Sequence, residues 1–170
     1  MGKTQLSLAH ARECAHEYSS VFWVNAKDET SLRQDLAALS LIIFVEPTYQ
    51  PTQNVAEENA AIDKVHRWLA KEGNDQWLLI FDNYDDPNFS STSSDIGYDI
   101  RRFFPARAQG SILITTRSTK LAFSKLLRLR SLEDVSISLA ILSQRSGRDL
   151  SAGKSPDRPL LPMIYTDLAR

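Results

Sequence analysis

Three short apolar runs, each closed by a polar or charged break, set the tightest limit on how this chain can fold. Val21-Phe22-Trp23-Val24-Asn25-Ala26 stops at Lys27-Asp28-Glu29, and Trp77-Leu78-Leu79-Ile80-Phe81 ends on Asp82. Ser111-Ile112-Leu113-Ile114-Thr115-Thr116 follows a turn at Gly110. Runs of this length, rich in aromatic and β-branched residues and without strict alternation, read as strands buried on both faces. A weaker strand is expected over Leu127 to Leu132.

Helical spacing fills the intervals. Leu8, Ala11, Ala15 and Tyr18 give one stripe to a helix from Thr4 to Tyr18, with Cys14 packing beside it. Asp28 can cap a second helix whose Leu32, Leu36, Leu39 and Ile43 share a face until Pro47 and Pro51 break it. Asn54 followed by Glu57 is a capping-box signature for a third, with Ile62, Val65 and Leu69 running to a stop at Gly73. A polar loop containing Ser90 to Ser94 and a short helix around Ile100 to Phe104 precede the third strand. Strands alternating with helices predict an α/β fold with a parallel sheet, in which ligands bind beyond the carboxyl ends of the strands. Residues 132–170 are expected to begin a small helical subdomain, with Val135, Leu139 and Leu142 on a helix closed by Gly147.

Composition narrows the function. Twenty Lys and Arg against 21 Asp and Glu leave no broad electrostatic footprint for nucleic acid or an anionic membrane. The most basic stretch, Lys120, Lys125, Arg128 and Arg130, is interleaved with Leu121, Phe123, Leu126 and Leu129, as a solvated face beside a buried one would be. The single cysteine, Cys14, has no internal disulfide partner, and no apolar run approaches the roughly 20 residues that span a bilayer. An intracellular, cytoplasmic setting is expected. His10, His16 and His66 lack metal-ligand spacing, and Trp23, Trp68 and Trp77 read as core anchors.

The residues that carry chemistry fall at the predicted strand ends and at one helix start. Gly2-Lys3-Thr4 before a helix has the ending of a phosphate-binding loop, where backbone N–H groups cradle phosphates, a lysine reaches the terminal ones and a threonine holds Mg²⁺. Asp82 supplies a carboxylate placed to hold the same metal, directly or through water. Gly110 to Arg117 delivers hydroxyls and one arginine, able to meet a γ-phosphate, to the same sheet edge.

Taken in order, G-K-T-Q-L, V-F-W-V-N-A, W-L-L-I-F-D-N-Y-D-D-P and G-S-I-L-I-T-T-R resemble the NB-ARC domain of STAND-class P-loop NTPases, particularly the fungal NLR-like type, from Gly2 to about Gly147. The resemblance implies a three-layer P-loop NTPase-like sheet, here without its first strand and with the loop cut within its motif. Its core would run over residues 1–131. It implies an ADP/ATP switch in which ADP holds a closed state, ATP opens it, and hydrolysis is slow. Effector and repeat domains would flank such a module in an immunity-like signalling protein. By position, Gly2, Lys3, Thr4 and Gln5 would contact the nucleotide, Thr4 and Asp82 would hold Mg²⁺, and Arg117 would be the sensor arginine. Asn83 stands where a second acid is common, leaving Asp85 and Asp86 as candidates to position water. Leu161-Pro162-Met163-Ile164 is the candidate counterpart of the family's base-contacting motif, with Pro162 on the base and Leu160 in place of the motif's glycine. The alternative is a truncated relative that binds no nucleotide and acts as an interaction or regulatory fragment.

Overall fold

Trp77–Asp82 (β2) lies between two parallel neighbours because its side chains have apolar surface to bury on both faces: Trp77, Leu78, Leu79, Ile80 and Phe81 are all buried. Ser20–Asn25 (β1) flanks it in register from Ser20 opposite Trp77 to Asn25 opposite Asp82, and Ser111–Ile114 (β3) lies on its other side with Phe81 opposite Ile114. The computed structural model describes residues 2–44, 54–88, 97–107, 109–129, 140 and 143. The chain separates into two compact units, Met1–Leu127 and Arg128–Arg170, and the whole sheet belongs to the first. The expected boundary at 131, the helix carrying Val135, Leu139 and Leu142, the prolines Pro47 and Pro51, and the Ser90 to Ser94 loop lie outside the described residues.

Helices cover both faces of this three-stranded sheet, so the α/β arrangement expected from the alternating pattern is present. One face carries Phe22, Val24, Leu79 and Phe81, packed against Glu29–Phe44 (α2) and Val55–Leu69 (α3) through Leu32, Leu36, Leu39, Ile62, Val65 and Leu69. The opposite face carries Leu78 and Ile80, met by Ala11 of Lys3–Glu13 (α1) and by Tyr18. Residues on one strand alternate between the two clusters, as the two-residue side-chain period requires.

Several boundaries move from their predicted places for local reasons. The first helix ends at Glu13, because the chain tightens into a 3₁₀ turn over Ala15–Glu17 before β1. Ser19 then pins the approach to β1, its N–H and Oγ both donating to the Gln76 carbonyl at 2.6 and 2.8 Å. Cys14 is buried as expected, but Ala15 is exposed. β1 is an edge strand, and Val21 and Trp23 stay 39% and 36% exposed, which removes Trp23 from the expected core anchors. On the open side of β1, the Asn25 N–H donates to Asp35 Oδ2 of α2 at 2.8 Å, satisfying one edge donor. Leu127 to Leu129 form no strand, and of the apolar residues in the basic stretch only Leu121 is buried.

The caps read from the sequence are made. Asp28 accepts from the Ser31 N–H at 2.8 Å, the chief cause of its lowered pKa. Asn54 accepts from the Ala56 N–H at 3.0 Å while its amide donates to Glu57 Oε1 at 3.0 Å, a variant of the capping box with the two side chains joined directly.

His66 of α3 donates through Nε2 to the Phe103 carbonyl at 3.0 Å, and burial pushes its pKa below the ordinary 6.5. Asp63 and the Phe103 carbonyl act in the opposite direction but do not overcome the burial. The folded chain therefore binds fewer protons here than the unfolded one, so this group's contribution is present above the unfolded pKa and is lost as pH falls below it. Stability is expected to decline as pH falls through the ordinary histidine pKa toward the lowered folded one, and His66→Gln to flatten that part of the profile of urea midpoint against pH.

Candidate functional site

The carboxyl ends of β2 and β3 and the first turn of α1 meet around Asp82. Thr4 Oγ1 donates to Asp82 Oδ1 at 3.0 Å, with Oδ2 at 3.3 Å, across 78 residues of sequence. Thr115 Oγ1 donates to the same Oδ1 at 2.5 Å and accepts the Asn83 N–H at 2.8 Å. Asp82 thus gathers hydroxyls from two elements. The register explains why: with Phe81 opposite Ile114, the next residues on each strand, Asp82 and Thr115, emerge side by side.

α1 begins on an unusual backbone. Gly2 takes φ 98°, the left-handed region that suits glycine, and its carbonyl accepts the Leu6 N–H at 2.8 Å. Lys3 and Thr4 then occupy the first turn, where N–H groups have no partner earlier in the helix and the helix dipole favours anions. Gln5 sits on the same turn, exposed. The structure therefore brings Thr4 to Asp82, with Gly2, Lys3 and Gln5 adjacent to it in the chain at the start of α1. The Leu161-Pro162-Met163-Ile164 segment lies outside the described residues.

The loop after β2 is fixed from two sides. Asn83 takes φ 71°, a left-handed conformation that asparagine tolerates better than most residues, and the Tyr84 N–H donates to the Thr115 carbonyl at 2.9 Å. Tyr84 is fully buried and its hydroxyl donates to the Tyr98 carbonyl at 2.6 Å, while the Tyr98 hydroxyl donates to the Ala26 carbonyl at 2.7 Å. Burial pushes both phenol pKa values up, so these bonds stay protonated. Gly97 packs so closely that a Cβ would meet the Asp86 carbonyl oxygen at 2.4 Å.

Arg117 reaches the site's edge but is not aimed at Asp82. Its backbone N–H donates to Asp85 Oδ1 at 2.7 Å and its Nε to Oδ2 at 2.7 Å, with the second guanidinium nitrogen 2.6 Å from Oδ2. Asp85, expected to position water, thus has both oxygens engaged by one arginine. Asp86 is exposed.

Thr115 is the member of this cluster that sequence reasoning underweighted. Its signal was present, a hydroxyl directly after a buried strand, but its role depends on β3 lying beside β2, which apolar runs alone do not specify. Chemically, a hydroxyl and a carboxylate are hard oxygen donors of the kind Mg²⁺ takes. No group of three or more His, Cys, Asp and Glu gathers among the described residues, so a metal at Thr4 and Asp82 would complete its shell with phosphate and water. No described helix is long and apolar enough to cross a membrane.

Among known proteins, no family model matches the chain, and no curated protein does either.

Proposed function

We propose that this chain is the nucleotide-binding core of an NB-ARC-type switch of the STAND class, binding ADP and ATP with Mg²⁺ and hydrolysing ATP slowly. The observation that carries the reading is the meeting of Thr4, at the start of α1, with Asp82, at the end of β2, under a second hydroxyl from Thr115. Two motifs far apart in sequence converge on the carboxylate of a third, at the sheet edge where parallel α/β folds bind ligands.

Each residue then has a task. Gly2 allows the chain to turn into α1, so that N–H groups of the first turn face a phosphate. Lys3 neutralises the β and γ phosphates, and Thr4 and Asp82 hold Mg²⁺, which screens the phosphate charge when bound. Thr115 keeps Asp82 oriented, and Arg117 answers to the γ-phosphate. Effector and repeat domains in the same protein would convert the ADP-bound and ATP-bound states into signalling, in an intracellular setting consistent with the single thiol of Cys14.

Calorimetric titration of the protein with ADP and Mg²⁺ tests the reading. Lys3→Ala is expected to weaken ADP roughly tenfold or more, through loss of a charge-assisted phosphate contact. Unchanged affinity in that variant would place any nucleotide elsewhere.

A further inference from the structure

The Asp85–Arg117 pair joins the two loops that carry the site, and its two members have unequal surroundings. The Asp85 side chain is only 11% exposed, while that of Arg117 is 78% exposed. Both guanidinium contacts converge on Oδ2, while Oδ1 takes the Arg117 backbone N–H. The guanidinium can therefore leave while the carboxylate keeps one hydrogen bond, and the backbone of the loop stays in place. Arg117 also stands two residues beyond Thr115, whose hydroxyl touches Asp82.

We propose that Asp85 sets the preference of this site between nucleoside diphosphate and triphosphate, by holding the Arg117 guanidinium in an ion pair that a terminal phosphate must displace. The inference rests on the nucleotide reading above. A diphosphate leaves the pair intact. A triphosphate carries its terminal group one phosphate further, where it can accept two parallel guanidinium hydrogen bonds and compete with a single carboxylate for them. The pair biases the site toward the diphosphate, because triphosphate binding must first break it. Solvent on the arginine side keeps this opposition modest.

Asp85→Asn keeps the side-chain shape and an acceptor for the Arg117 N–H but removes the competing charge. Binding of ADP and of a slowly hydrolysed ATP analogue, both with Mg²⁺, is measured in four proteins: the natural chain, Asp85→Asn, Arg117→Ala and the double variant. Asp85→Asn is expected to raise the ratio of triphosphate to diphosphate affinity by roughly fivefold, a size set by partly exposed ion pairs. In the Arg117→Ala background the same substitution should leave the ratio unmoved. A ratio unchanged or lowered by Asp85→Asn, or raised equally without Arg117, overturns the proposal while leaving nucleotide binding intact. Failure of the natural chain to bind either nucleotide overturns it together with the function it rests on.

Discussion

Replacing Asp82 with alanine is expected to remove the Mg²⁺-dependent part of nucleotide binding, by roughly 100-fold or more, since loss even of a residue that only supports a metal ligand costs 10–100-fold. Asp82 is the one carboxylate that Thr4 and Thr115 both address, so its removal takes away a metal ligand and the acceptor that orients both hydroxyls. Thr115 is buried, and its hydroxyl would keep the Asn83 N–H as donor but lose its own acceptor, a deficit of about 1 kcal/mol. Asp82→Asn separates charge from geometry. The amide preserves shape and an acceptor oxygen, so urea unfolding should change little while Mg²⁺-dependent ADP binding falls nearly as far as in the alanine variant. Titrations with ADP, in Mg²⁺ and in EDTA, read the difference. A variant that binds ADP as the natural chain does, with the same Mg²⁺ dependence, would remove Asp82 from the site.

Trp77→Ala is expected to be the most damaging change to the fold, lowering stability by about 3–5 kcal/mol as large-to-small core substitutions of aromatic residues do. The indole is fully buried at the start of β2, and its Nε1–H is shared between the Leu69 and Asn74 carbonyls at 3.0 Å each. It therefore locks the end of α3 to the central strand. Alanine would leave a cavity between the start of the central strand and the end of α3 and free both carbonyls. Against a total stability of about 5–15 kcal/mol for an ordinary domain, that loss is a large fraction. The same contact is open to attack from the other side. A Cβ at Gly110 would lie 2.3 Å from the indole ring and 2.6 Å from the Trp77 carbonyl oxygen, so Gly110→Ala should cost about 1–3 kcal/mol through overpacking. Urea midpoints of the two single variants and the double variant measure both effects and their coupling, since alanine at position 77 removes the indole from the Gly110→Ala clash while the carbonyl oxygen of residue 77 stays.

The central strand was legible because Trp77 to Phe81 leaves no polar side for solvent, and the caps at Asp28 and Asn54 were legible because capping is local chemistry. Asp82 stood out as a carboxylate ending a buried run. β1 was misread in one respect: Val21 and Trp23 look like core residues, and only strand order reveals that they lie at an edge. The first helix was overextended because apolar spacing continues to Tyr18, whereas the return to β1 is governed by Ser19 and Gln76, a contact between residues far apart in sequence. Thr115 and Asp85 belong to the same class. Their partners, Asp82 and Arg117, are set by the register of β3 on β2, and no local pattern encodes that register. The buried bonds of Tyr84 and Tyr98 were equally hidden, since each joins residues that only the folded sheet brings together.

A metal-assisted phosphate site at Thr4, Asp82 and Thr115 makes nucleotide binding depend on Mg²⁺. Calorimetry of the protein with ADP, first with Mg²⁺ and then with EDTA, reads that dependence. Saturable one-to-one binding is expected, weakening by about tenfold or more when the metal is withdrawn. Binding that is indifferent to Mg²⁺, or no binding at all, would contradict it.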